Sequence, residues 1–288
     1  MLRGLDHIVH AVRDLDAAAE FYRQAGFTVG ARNRHPWGTH NHIVQFPGFF
    51  IEILAFAEPD KLGDDGFSRL FAAYNRDFAA AHEGLSMLIL ESQDAGGDEA
   101  AFRAAGIAAS PAMHFEREGK RPDGSAVKVG FSLAFAQDAR APDIHFATCR
   151  QHHPENFWNP DFQHHANGAF AVASALIAAD EPAAHRAMLL AFTGASEMRT
   201  TGDGYVIPLP RGAVEVMRPA EFAERTGAAA PDLRDGARLA GIRFAARDLA
   251  DLRALLARAA VPHHAAAGQI VIGPQAGLGA TLLFGAAG

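Results

Sequence analysis

An α+β fold built from repeated strand–helix–strand units is what this sequence predicts, and three observations lead there. The run around His7 alternates in polarity and is rich in β-branched residues, as a half-buried strand should be. A shift of 80 residues superposes Asp14 on Asp94, Arg23 on Arg103, Ala25 on Ala105 and Gly26 on Gly106, all at matching points of a strand–helix–turn unit. A shift of 234 superposes Ala11, Arg13, Asp14 and Leu15 on Ala245, Arg247, Asp248 and Leu249. Such internal periodicity marks a fold assembled from copies of one supersecondary unit.

In the first unit, Arg13 to Asp16 stops the opening strand and offers Asp14 or Asp16 as a helix N-cap. Residues 17–24 have helix-forming composition, and Gly26 closes the helix. Residues 49–54, Phe-Phe-Ile-Glu-Ile-Leu, read as a later strand. The second unit starts near Gly84 and the last near Leu239. Between them, 167–193 reads as a strand and a helix entered at Asp180-Glu181-Pro182, and 212–217 echoes 48–54; this third unit is the least similar to the others. Three segments read as joints: 58–81, 151–163 with Pro154 and Pro160, and 218–236 with Pro219 and Pro231.

With 288 residues, 49% hydrophobic and 20% charged, the chain is long enough for two globular domains. A net charge of −7 and the lack of a Lys/Arg stripe with interleaved aromatics argue against nucleic acid as a partner. The single cysteine, Cys149, excludes an intramolecular disulfide and fits a reducing compartment. No signal-peptide pattern and no uninterrupted run of about 18 apolar residues is visible, so the expectation is a soluble, cytoplasmic protein without a membrane partner. No Gly-rich phosphate loop or Gly-x-Ser-x-Gly elbow occurs, which sets aside phosphoryl transfer and serine hydrolysis.

The chemistry concentrates near the start. His7 and Glu52 can both face inward from two strands of the first unit, which suggests half of a metal site. Glu52 is flanked by Phe49, Phe50, Ile51, Ile53 and Leu54, where a carboxylate is costly to bury unless paired or coordinated. The opening segment, Asp-His-Ile-Val-His-Ala-Val-Arg-Asp-Leu-Asp from Asp6, together with the later Phe-Phe-Ile-Glu-Ile-Leu strand, resembles the vicinal oxygen chelate superfamily of glyoxalases, extradiol dioxygenases, bleomycin-resistance proteins and glyoxalase-like proteins. The resemblance implies four βαβββ modules paired into two open-barrel domains, with 1–150 as the first, 151–164 as the linker and 165–288 as a second, ligand-poor domain. It also implies a divalent metal (Zn, Ni, Mn, Co or Fe) with His7 as first-strand ligand and Glu52 as last-strand ligand.

The second module departs from the four-ligand pattern, because the 80-residue shift puts Met87 opposite His7. His152 is the preferred third ligand, with Gln151 and then His145 as alternatives. His42 or Glu155 is the candidate to move protons, and Trp37, His40, Phe50, Trp158 and His165 are candidates to contact substrate. The bland readings stand beside these: His40 and His42 as strand-surface residues, Phe157 and Trp158 as packing between domains, and 115–124 as a solvated hairpin, whose Arg117 or Lys120 is otherwise a candidate to meet an anionic substrate. In the second half Glu215 matches Glu52 in local context, but Gly241 stands opposite His7, so Glu215 reads as structural.

Two functions follow from these residues. One is a metal-dependent lyase, isomerase or dioxygenase acting on a small substrate with vicinal oxygens. The other is a metal-free protein that binds or sequesters small molecules on the same fold. Exposed strand edges also make a homodimer the expected assembly.

Overall fold

The computed structural model describes residues 1–120 and 126–286. Its elements run β1 (Leu5–Ala11), α1 (Leu15–Gln24), β2 (Asn33–Arg34), β3 (Thr39–Phe46), β4 (Phe49–Phe56), α2 (Tyr74–Ala81), β5 (Gly84–Glu91), α3 (Ala95–Ala104), β6 (Met113–Lys120), β7 (Ala126–Ala136) and β8 (His145–Gln151) in the first half. A short α4 (Pro154–Phe157) crosses to β9 (Ala169–Ala178), α5 (Arg186–Thr193), β10 (Arg199–Thr201), β11 (Gly204–Pro208), β12 (Ala213–Met217), α6 (Pro219–Thr226), β13 (Arg238–Ala246), α7 (Leu249–Arg258), β14 (His264–Ala266), β15 (Gln269–Ile272) and β16 (Thr281–Ala286). The strands form two eight-stranded sheets, ordered β2-β3-β4-β1-β5-β8-β7-β6 and β10-β11-β12-β9-β13-β16-β15-β14. Each sheet is two βαβββ modules joined back to back, so the four-module α+β architecture is the one the repeats predict.

Local chemistry explains the repeat. Asp14 caps α1 by accepting from the backbone N–H groups of Asp16 and Ala17, both at 3.0 Å, and Asp248 caps α7 in the same way at 2.7 and 3.0 Å. Of the two caps considered for α1, the structure uses Asp14. Gly48 turns β3 into β4 with φ of +71°, and the Arg211 guanidinium lies 2.6 Å from where a Cβ would stand, so both backbone and space require glycine.

Within each sheet the central contacts repeat. β1 runs parallel to β4 and antiparallel to β5, and β9 is parallel to β12 and antiparallel to β13. One face of each sheet joins a shared core. Phe46 stacks on Phe244 at 5.2 Å, and Phe27 reaches Phe244 and Phe284 at 5.6 and 5.9 Å, so the two halves are welded by aromatics that each contribute about 1.5–3 kcal/mol on burial. Polar ties cross the same seam: His10 Nε2 bonds the Leu278 carbonyl at 2.9 Å, and Asp138 pairs with His185 at 2.7 Å.

Two segments read as joints are built structure. Residues 58–81 form a 3₁₀ turn (Pro59–Lys61), a π-helical turn (Ser68–Ala73) and α2, burying Phe67, Phe71 and Phe78. The crossing 151–163 contains α4 and a 3₁₀ turn (Pro160–Gln163), and Gln45 anchors it by donating to the Phe157 carbonyl at 2.8 Å and accepting from the Asn159 N–H at 3.0 Å. The tip of the hairpin expected over 115–124 lies outside the described residues from 121 onward.

Candidate functional site

The other face of the first sheet curls around a cavity of about 520 Å³. Strand register decides what lines it. His7 pairs with Phe50 and Val9 with Glu52 across β1 and β4, while Ile43 pairs with Glu52 and Gln45 with Phe50 across β3 and β4. His7, Phe50, Glu52, Asn41, Ile43 and Gln45 therefore share the concave face, as the two-residue side-chain period requires. Trp37, Phe67, Phe71, Phe115 and Phe131 complete an aromatic wall in which Trp37 stacks on Phe67 at 4.7 Å and meets Phe115 edge-on at 4.8 Å.

The polar floor is small and tightly held. His7 Nδ1 donates to Asp6 Oδ2 at 2.6 Å, and Gln151 Nε2 donates to the other Asp6 oxygen at 3.2 Å. That bond leaves Nε2 as the His7 nitrogen free to meet a ligand, with the ring stacked on Phe50 at 4.2 Å. Glu52, 5% exposed, accepts from Asn41 Nδ2 at 2.5 Å through Oε1. Burial pushes its carboxyl above the usual glutamate range, and His7 and the Asn41 bond pull the other way. His35 Nε2 lies 3.9 Å from the same Glu52 oxygen, but burial, with smaller effects from Arg117 and His40, drops the His35 pKa to about 3. Cys149 also lines the cavity; burial first, then Asp6 and Glu52, raise its thiol well above the usual range, so it is no thiolate nucleophile.

Several expected site residues sit elsewhere. Alternation along β3 carries His40 and His42 to the face opposite Asn41: His40 bonds Glu58 at 3.0 Å and His42 bonds the Gly30 carbonyl at 2.8 Å. His152 is one residue out of phase with Gln151 and bonds Ser132 at 2.8 Å beside His114, so it does not join His7 and Glu52. Glu155 is exposed, with His153 at 3.8 Å. His165 accepts from the Thr28 N–H and bonds the Gln45 carbonyl, each at 3.0 Å, which makes it a clamp behind the floor. Trp158 packs 6.0 Å from Phe50 in support of the wall, while Trp37 and Phe50 line the cavity directly. His145 bonds the Leu70 carbonyl at 3.0 Å and stacks on Tyr74.

Sequence reasoning missed Asn41, Gln45, His35 and the aromatics of 67–71. The aromatic signal was present: Phe67, Leu70, Phe71, Tyr74 and Phe78 recur at helical spacing.

A divalent ion, which this fold implies, was tested against the donors present. The pseudo-twofold relating the first two modules takes His7 to Met87, and it takes Glu52, level with Val9, to Ala147, level with Ile89. Two of the four related positions therefore carry a thioether and a methyl group, and among the described residues no three His, Cys, Asp or Glu side chains gather as a metal site. The donor set does not fit a resident divalent metal. In the second half, Glu215 occupies the place of Glu52, level with Leu176 as Glu52 is with Val9, but it pairs with Arg225 at 2.6 Å and with Arg243. That pole is a buried ion cluster, as its sequence context suggested.

Paired βαβββ modules curled around a cavity define a vicinal oxygen chelate fold. The profile of the glyoxalase-like domain family matches residues 5–193, and the chain belongs to that family. Solved structures agree on the fold. A hypothetical protein from Staphylococcus aureus is 12% identical with a TM-score of 0.68, covering 99% of this chain and 100% of its own. A triple mutant of 4-hydroxymandelate synthase from Streptomyces coelicolor is 13% identical with a TM-score of 0.56, covering 100% of this chain and 94% of its own. A xylose isomerase-like TIM barrel/4-hydroxyphenylpyruvate dioxygenase fusion protein is 14% identical with a TM-score of 0.52, and this chain spans 49% of it. No curated protein matches the sequence. Among the described residues no helix is long and apolar enough to cross a membrane.

Proposed function

We propose that this protein binds a small, largely apolar molecule in the first-half cavity, with a polar group of that molecule turned to His7 and Glu52, and that it does so without a resident metal. The observation that carries this reading is one cavity lined by eight Phe and Trp rings and by a polar floor of His7, Glu52, Asn41 and Gln45. Apolar pockets with a few convergent polar groups are the usual form of small-molecule sites. The Met87 and Ala147 positions support metal independence on the chemistry of the donors.

A second reading rests on the Asp6–His7 pair. An imidazole whose Nδ1 proton is held by a carboxylate presents a basic Nε2, and a buried carboxyl with a raised pKa stands on the neighbouring strand. That arrangement suits proton transfer on the bound molecule, with His7 as the acceptor and Glu52 as the donor. The metal-dependent lyase, isomerase or dioxygenase expected from the superfamily would need donors that these positions lack.

Binding is tested with the neutral fluorophore 1-aminoanthracene. The expected result is one saturable site per chain, lost in Ile43→Trp, which places an indole in the cavity, with far-UV circular dichroism confirming that the variant is folded. Absence of binding, or binding unchanged in folded Ile43→Trp, would overturn the reading.

A further inference from the structure

The edge strand β6 brings a guanidinium into this largely aromatic cavity. Phe115 pairs with Phe131 and Arg117 with Val129 across β6 and β7, and all four side chains line the cavity. The hairpin therefore does not leave Arg117 in solvent. Its neighbour Glu116 is on the other face, engaged by Lys128 at 3.0 Å and His153 at 3.5 Å. Among the described residues Arg117 has no carboxylate partner, and burial lowers its proton affinity. Arg117 lines the same cavity as Trp37, Phe115, His7 and Glu52, and its charge is felt at His35, whose Nε2 lies 3.9 Å from Glu52.

A partly desolvated guanidinium with no carboxylate partner among the described residues is an unfinished ion pair. Its planar fork matches a carboxylate bidentately, and it remains charged at any working pH. The aromatic rings that share the cavity with Arg117 offer surface to an aromatic or aliphatic body. We infer that the ligand is a hydrophobic carboxylic acid whose carboxylate pairs with Arg117 while its body lies along Trp37, Phe67, Phe71 and Phe115. This rests on the cavity being the binding site proposed above and adds the chemical class of the occupant.

The experiment displaces 1-aminoanthracene with 3-phenylpropanoate and with the matched neutral alcohol, 3-phenylpropan-1-ol, in wild type, Arg117→Gln and Arg117→Lys. In wild type the carboxylate is expected to bind about ten- to a hundredfold more tightly than the alcohol, the range of a charge-assisted hydrogen-bonded pair. The ratio of the two Kd values falls to about one in Arg117→Gln and is intermediate in Arg117→Lys. Taking the ratio within each protein cancels any general loosening of the cavity. Equal binding of acid and alcohol in wild type, or a preference retained in Arg117→Gln, would overturn the inference while leaving the binding cavity intact. Failure of 1-aminoanthracene to bind wild type would overturn the cavity reading and this inference with it.

Discussion

Asn41 Nδ2 donates to Glu52 Oε1 at 2.5 Å from the adjacent strand, and both side chains face the cavity. This bond is the one direct hydrogen bond that the described residues give to Glu52, and with His7 it opposes the larger effect of burial on the carboxyl.

Glu52 makes stability depend on pH in a specific sense. Burial raises its carboxyl above the ordinary value near 4.5, so the folded state holds the proton more tightly than the unfolded state. The stability from that proton is fully present below pH ~4.5 and is lost as pH rises through the folded pKa. Glu52→Gln, a neutral isostere, should therefore gain in Tm relative to wild type as pH is raised from 4 toward 8. Thermal melts across that range check it, and a difference that does not change with pH would count against the buried, raised carboxyl.

His10 behaves in the opposite sense. Tyr22 O–H donates to its Nδ1 at 2.8 Å, its Nε2 bonds the Leu278 carbonyl at 2.9 Å, and burial lowers its pKa to about 4. The neutral ring's contribution is present above pH ~6.5 and is lost as pH falls toward about 4. His10→Phe should lose roughly 1–3 kcal/mol at pH 7, because Tyr22 and Leu278 are left without partners. The deficit should shrink toward pH 4.5, as followed by urea denaturation at each pH.

Glu215 and Glu52 occupy related places but should respond differently to truncation. Buried Glu215 is shared by the partly exposed Arg225 and Arg243, which also hold Glu221 and Ser174, so Glu215→Ala removes two charge-assisted bonds and should cost roughly 1.5–3 kcal/mol. Glu52→Ala removes a carboxylate whose one hydrogen-bond partner among the described residues is an amide, and should cost less. Denaturant midpoints of the two variants, compared at pH 7, would contradict this if the two costs were equal or reversed.

Both tryptophans of the chain, Trp37 and Trp158, lie in or against the cavity wall. A ligand seated there should change their emission, and Trp158→Phe should keep most of the change because Trp37 lines the space. Loss of the signal in Trp158→Phe would move the binding site toward the crossing segment 151–163.

The fold was legible because its signals are local and repeated: the Asp14 and Asp248 caps, the β-branched alternation around His7, and the Phe-Phe-Ile-Glu-Ile-Leu strand survive in register. His7 and Glu52 could be placed on one face because the strands around them are long and almost fully buried. The rest of the floor turned on parity. Starting β3 one residue earlier or later exchanges His40 and His42 for Asn41 and Gln45, and the same one-residue step separates Gln151 from His152. Arg117 was ambiguous for a related reason, since a charge-alternating hairpin reads as solvated until its edge is known to curl over a cavity. The aromatic run 67–78 was masked by the Gly- and Asp-rich stretch before it, which reads as a joint.

The central claim is a binding cavity that works without a metal, and titrating 1-aminoanthracene into chelator-treated protein and into the same protein supplied anaerobically with Zn, Ni, Mn, Co or Fe(II), with metal content determined in parallel, tests it most directly. The account predicts the same one-site Kd in both preparations and no stoichiometric metal that His7→Ala removes. Binding only after metal is restored, together with about one equivalent of metal lost in His7→Ala, would contradict it.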